Sequence, residues 1–409
     1  MDVRLHTYHP TRVLLLLEYI PTSTSTSTPK STLSQPPNVL LFIGGMYDNF
    51  RSPRYVDDIA KLFPRDVAGI GGVGDDVAQK WSVFHVQLSS AGRAFGIGGL
   101  DRDVSEISEA ITYIRNNIIN SPSAPVVIMG HSTGCQDSMH YLCSSLSSNT
   151  KSSSSSRPPI SGIILQAPVS DREAILDGVR HDARTASAYN DALAFCKATP
   201  NKAHSKTLLP WNLTIPILGP VPLTVSRFLS LASPESPSNP AQDDYFSSDL
   251  GDDVFKGTFG KLAGCEWVLT PTRPADNTDS GGKRQSKSML ILISGDDEHV
   301  SSDINKLQLL SRWTKAVESQ STEERPARVS PHSQVVEHAL HDISGDGIEA
   351  RTARLVEMRA AVLKYLNDVV GDVYGHEHGD SKDDSSPWGI WKRDKEAIEA
   401  EKGLQGVKL

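Results

Sequence analysis

Short apolar runs alternate with amphipathic stretches along most of this chain, the pattern of a parallel sheet covered by helices. Strands are predicted at 12–20, 39–43, 81–88, 126–129, 162–166, 289–293 and 334–340. Helices are predicted at 55–63, 103–119 and 353–370. The second of these is the best formed. Val104, Ile107, Ile111, Ile114 and Ile118 recur at spacings of three and four and share one apolar stripe. Asp103 and Glu106 read as a capping pair at its start. In the last helix Leu355, Val362, Leu366 and Val369 form the inward face. Between the fifth and sixth strands lie about 120 residues without strand character, and an insert of that size reads as a cap over the sheet's C-terminal edge, where open α/β sheets bind ligands. Within it, 171–197 looks helical, 210–240 is proline-rich and broken, and 243–264 holds short apolar pieces. The expected organisation is a core of 1–170 and 271–375, a cap of 171–270 and a polar tail of 376–409.

Composition adds that the folded body is diluted by polar segments. The hydrophobic share of the 409 residues is 38 %. Residues 22–28 read TSTSTST, and 152–156 are five serines. Such segments bury too little apolar surface to offset their ordering entropy. The stretches 271–287, 318–331 and 375–387 read as loose polar loops, and 388–409 as a surface helix.

Charge and cysteine usage narrow the function classes. With 41 basic and 49 acidic residues the net charge is -8, and no basic stripe interleaved with aromatics points to nucleic acid. The apolar run Val13–Leu17 is too short for a membrane span and a poor signal peptide. Cys135, Cys143, Cys196 and Cys265 have neither disulfide-framework nor zinc-ligand spacing. The expectation is a cytoplasmic protein with no metal, no cofactor and a small-molecule partner.

The central chemical signal is Gly130-His-Ser-Thr-Gly134, a G-x-S-x-G between the apolar run 126–129 and a candidate helix 135–146. In that setting two glycines let a strand turn sharply into a helix, holding Ser132 exposed at the apex as a nucleophile. A serine nucleophile needs an acid and then a histidine later in the chain. The sixth strand runs into Gly295-Asp-Asp-Glu-His-Val300, where Asp296, Asp297 and Glu298 all qualify; the usual turn sets the acid three residues before a Val, which favours Asp297. The base normally sits just past the last strand, which favours His341 over His338, still within the predicted strand. His299 is too close to the acid, and His332 precedes the strand. For the oxyanion hole the expected donors are the backbone N–H groups of Thr133 and of Met46, after Gly44-Gly45. Gly45 and His131 are expected to line the substrate site. Gly96-Ile-Gly-Gly99 lacks the residues of a phosphate loop and reads as a loop leading into a helix. Cys135 reads as packing, and Gln136 and Asp137 as lying at the elbow helix start, where an acid suits the dipole.

Met129-Gly-His-Ser-Thr-Gly-Cys-Gln-Asp137 with Met139-His-Tyr-Leu142 resembles the DUF1749 group of α/β-hydrolase proteins. Gly99-Leu-Asp-Arg-Asp-Val104, Asp243-Asp-Tyr-Phe-Ser-Ser-Asp-Leu250 and Ser294–Val300 resemble it too. The resemblance excludes the serine-rich inserts. It implies an α/β-hydrolase fold, with a mostly parallel sheet, flanking helices and an inserted cap. That family includes intracellular esterases of fusarinine-type hydroxamate siderophores. The resemblance implies ester hydrolysis for iron release, with Ser132, Asp297 and His341 as nucleophile, acid and base. Ser301 stands where Pro more often follows the Val. A general carboxylesterase and a non-catalytic binding protein on the same fold are the competing readings.

Overall fold

The computed structural model describes residues 1–20, 38–63, 81–144, 157–270, 286–345 and 347–370. Among these residues nine strands form one sheet: β1 (Asp2–His9), β2 (Leu14–Ile20), β3 (Asn38–Ile43), β4 (Trp81–Val86), β5 (Val126–His131), β6 (Gly162–Gln166), β7 (Lys287–Ser294), β8 (Ala327–Val329) and β9 (Gln334–Val336). Their spatial order is β1-β2-β4-β3-β5-β6-β7-β8, with β9 continuing alongside β7 beyond β8. The β1–β2 and β2–β4 pairs are antiparallel and the rest are parallel. This is the α/β-hydrolase fold.

The central strands are apolar throughout because both faces are covered. On one face Val39, Leu41, Ile43, Val126, Ile128, Ile163, Leu165, Met289 and Ile291 pack beneath α2 (Leu100–Tyr113), α3 (Gly134–Cys143) and α10 (Lys306–Glu318). On the other, Leu40, Phe42, Val127, Met129, Ile164, Leu290 and Leu292 pack beneath α1 (Tyr55–Ala60) and α11 (Ile348–Val370). The two-residue period of the strands assigns consecutive side chains to opposite layers.

The stretch after β6 is helical, with α4 (Asp171–His181), α5 (Ala183–Ala198), α6 (Trp211–Leu218), α7 (Val225–Ala232), α8 (Asp252–Thr258) and α9 (Lys261–Gly264). It divides by packing. Helices α4–α7 gather around a cluster of their own that includes Ile175, Tyr189, Leu213, Leu223 and Phe228. Phe246, Phe255, Phe259 and Leu262 instead join the main core around Trp313, whose ring stacks on Phe259 at 5.3 Å between centroids. The segment from about 245 onward thus seats with the sheet's helical layer rather than with the α4–α7 insert.

Several sequence expectations change. Helix α2 starts at Leu100, and no side chain caps it. Leu100 is buried in the core, so the helix begins a turn before Asp103. Asp103 accepts the Ser90 hydroxyl at 2.8 Å and Glu106 accepts the Ser89 N–H at 2.7 Å, so neither caps the helix. The expected loop 318–331 contains β8, with Ala327 and Val329 buried. The last strand ends at Val336, and His338 lies beyond it at φ 56°. The predicted tail, the two serine- and threonine-rich tracts and most of 271–287 lie outside the described residues. Among the described residues no helix is long and apolar enough to cross a membrane.

Candidate active site

Strand β5 passes into α3 through Ser132, whose φ of 54° puts a non-glycine residue in the left-handed region. The flanking glycines are sterically required. A Cβ on Gly130 would lie 2.2 Å from Gly134 O, and one on Gly134 would lie 2.4 Å from Ile43 O. The elbow is also anchored to the neighbouring strand, because Ser132 N–H donates to Gln166 O at 3.1 Å. Cys135 is buried beneath it, Sγ 3.2 Å from the same carbonyl, and burial pushes its thiol well up.

Asp297 lies three residues beyond β7 and His341 five beyond β9. Parallel pairing of β7 with β9 through Ser294 and Val336 brings their following turns together. His341 Nδ1 lies 2.8 Å from Asp297 Oδ2, and both residues are buried. Asp297 Oδ1 also accepts His299 N–H at 3.0 Å. Burial alone lowers the His341 pKa. The hydrogen bond and charge of Asp297, with Glu298 and Asp48 beyond, outweigh it, and the net shift is upward. The other candidates separate. Asp296 pairs with His338 at 3.1 Å at the exposed surface, while Glu298 accepts the His341 backbone N–H at 2.8 Å. The ring of His299 meets His341 edge-on, with centroids 4.7 Å apart.

Ser132, Thr133, His131, Met46 and His341 line one cavity of about 840 Å³, together with Asp171, Leu218 and Arg351. Among the described residues no direct hydrogen bond joins Ser132 to His341, and such contacts tighten in many hydrolases only with substrate. Gly45 closes on the serine: a Cβ there would sit 2.5 Å from Ser132 Cβ and 3.1 Å from its Oγ. Among the described residues neither the Met46 nor the Thr133 backbone N–H has an acceptor. Tyr47, beside Met46, donates its hydroxyl to Leu218 O at the end of α6 and packs edge-on against Phe95.

Sequence reasoning missed a buried polar hub behind the histidines. Gln166 Oε1 accepts Tyr55 OH at 2.6 Å and lies 2.5 Å from His131 Nδ1. An amide oxygen only accepts, so His131 Nδ1 is the donor. Burial, and then the nearby His341, lower the His131 pKa to about 4, so its ring stays neutral. The available signal was a polar residue closing the apolar run 162–166 beside the elbow strand.

Asp137 lies in the first turn of α3 as expected, but buried. Burial, then Asp103, push its carboxyl well up despite Arg227 nearby, which favours the uncharged form over a charge on the helix dipole. A carboxyl whose folded pKa lies above its unfolded one adds stability below the unfolded value, and this is lost as pH rises. Asp137→Asn should therefore raise the melting temperature by several degrees at about pH 8 and little at about pH 4, as scanning calorimetry would read. An equal shift at both pH values would refute the burial account.

The family model described as "Protein of unknown function (DUF1749)" matches residues 2–366. The chain is 32 % identical over 384 residues to fusarinine C esterase sidJ of Aspergillus fumigatus, covering 89 % of this chain and 95 % of that protein. It is 33 % identical over 362 residues to esterase AN6793 of Emericella nidulans, covering 82 % and 88 % respectively. Among solved structures, siderophore hydrolase EstB from Aspergillus fumigatus matches with a TM-score of 0.68 at 30 % identity, over 90 % of this chain and 98 % of that one.

Proposed function

The chain belongs to the DUF1749 family and is an ester-hydrolysing enzyme, and from that premise we propose that it cleaves ester bonds of a fusarinine-type hydroxamate siderophore in the cytoplasm, releasing iron, by a serine acyl-enzyme mechanism. The single observation that carries the mechanism is the buried 2.8 Å pairing of Asp297 with Nδ1 of His341, which lines the same cavity as Ser132.

In this mechanism His341 takes the proton of Ser132 as Oγ attacks the ester carbonyl, and Asp297 stabilises the imidazolium. The tetrahedral oxyanion accepts the N–H groups of Thr133 and Met46, donors already oriented before reaction. His341 returns the proton to the departing alcohol. Water then attacks the acyl-enzyme carbonyl, giving its proton to His341, and His341 passes a proton to Ser132 Oγ as the acyl–Oγ bond breaks and the acid leaves. Gly45 permits close approach at Ser132, and the neutral His131 lines the site without competing as a base. Helices α4–α7 serve as the cap that shapes the cavity. Support for the substrate class comes from the named activities of the relatives, and a cavity of about 840 Å³ accommodates a ligand of that size class.

A substrate panel tests the proposal. Ferric fusarinine C and its triacetylated form should be hydrolysed with kcat/KM at least about tenfold above p-nitrophenyl acetate, followed by mass spectrometry of the released hydroxy acids. Preference for simple acyl esters would make the protein a general carboxylesterase. Failure of a fluorophosphonate probe to label Ser132 would favour a non-catalytic binding protein.

A further inference from the structure

Asp48, in the turn after β3, adds only a distant charge at His341, yet both of its carboxylate oxygens are engaged within its own loop. Oδ2 accepts the Gly45 N–H at 2.7 Å, and Oδ1 accepts the Ser52 hydroxyl at 2.5 Å. The backbone closes the same turn, with Asp48 N–H donating to Gly45 O at 3.1 Å and Gly92 N–H donating to Asp48 O at 3.1 Å. Tyr47, inside the turn, is held at φ 68°.

These bonds grip two successive peptide planes. The Gly44–Gly45 plane is held through its N–H by the Asp48 carboxylate, and the Gly45–Met46 plane through its C=O by the Asp48 N–H. In a planar trans peptide the N–H points opposite to the C=O. Tying Gly45 O into the turn therefore directs Met46 N–H out of it. The glycine pair is packed accordingly: a Cβ on Gly44 would lie 2.9 Å from Asp48 Cβ, and one on Gly45 would meet Ser132. A loop of two glycines has much conformational freedom to lose, and a donor that reorients during reaction stabilises an oxyanion poorly.

We propose that Asp48 is the positioning residue of the oxyanion loop, fixing the peptide planes on either side of Gly45 so that Met46 N–H is preset toward the oxyanion formed at Ser132. The proposal rests on the esterase reading above. Asp48 also lines the cavity, but its effect on the oxyanion is exerted through the backbone.

The test uses the full chain and an ester that the wild type hydrolyses. Asp48→Ala should lower kcat about 100-fold with KM changed less than about threefold, the size of effect seen when one oxyanion donor is lost. Affinity for a trifluoromethyl ketone, which forms a hemiketal oxyanion on the serine, should fall by the same factor. Asp48→Asn retains an oxygen for the Gly45 N–H and should recover kcat and inhibitor affinity to within about tenfold of wild type. Wild-type kcat and inhibitor affinity in Asp48→Ala would overturn the proposal, as would a loss of activity with unchanged inhibitor affinity, or an Asn variant no better than Ala. Should Asp48→Ala fail to fold, Asp48→Glu carries the test. Its longer arm keeps the charge but displaces the carboxylate from Gly45 N–H, so wild-type behaviour in it overturns the proposal equally. Ser132→Ala, assayed alongside, separates the two readings. Turnover retained there defeats the esterase mechanism, whereas its loss together with an unaffected Asp48→Ala defeats only the role of Asp48.

Discussion

Ser132→Ala should reduce ester turnover about a millionfold while leaving the fold intact, because removing a serine nucleophile costs nearly as much as removing its whole triad. The backbone supports this expectation of an intact fold. The φ of 54° at position 132 is imposed by Gly130 and Gly134 and by the bond from Ser132 N–H to Gln166 O, none of which involves the hydroxyl. Alanine is strained there to about the same degree as serine, so the melting temperature should move little. Steady-state kinetics, with labelling by a fluorophosphonate as control, would check it. Activity near the wild-type level would eliminate Ser132 as the nucleophile.

The second large effect concerns the partner of His341. Asp297→Asn should cost about ten-thousandfold in kcat, because a carboxamide can donate to Nδ1 and so favour the tautomer whose Nε2 carries the proton and cannot accept one from serine. The pH profile gives an independent readout. Catalysis needs neutral His341, and the net shift of its pKa is upward, so wild-type kcat/KM should fall on acidification with a midpoint above the ordinary imidazole value of about 6.5. Removing the Asp297 charge should move the midpoint of the residual activity to lower pH. A midpoint that stays in place would mean that another group governs the acid limb.

The parts of the fold that the sequence made legible are those whose pattern has one local cause. Strands β3, β5, β6 and β7 are covered on both faces, so their apolar runs show without knowledge of their partners. Strand β1 escaped because it is an edge strand with most of its side chains in solvent, Val3 and Leu5 included. Strand β8 has three residues, too few to show a period. At the candidate site, the placing of Ser132, Asp297 and His341 on one sheet edge was readable because each closes or follows a strand in a recognised order. Glu298 and Gln166 were not. Glu298 holds the backbone of a residue 43 positions away, and Gln166 joins Tyr55 to His131 across three elements. Such roles come from long-range proximity, and no spacing along the chain encodes them. The Asp103–Glu106 pair shows the opposite error, a motif correct in spacing whose carboxylates turn to the loop after β4 because Leu100 starts the helix early.

The hydroxyl of Tyr47 is bonded to the last carbonyl of α6, and its ring packs on Phe95, which belongs to the cluster of the helical insert. Tyr47, next to the proposed Met46 donor, is thus tied to α6, whose Ile217 and Leu218 line the cavity. An outward swing of α6 would either break that bond or drag the turn beside Ser132 with it, which under the proposed mechanism couples the width of the cavity to the placing of the oxyanion donor.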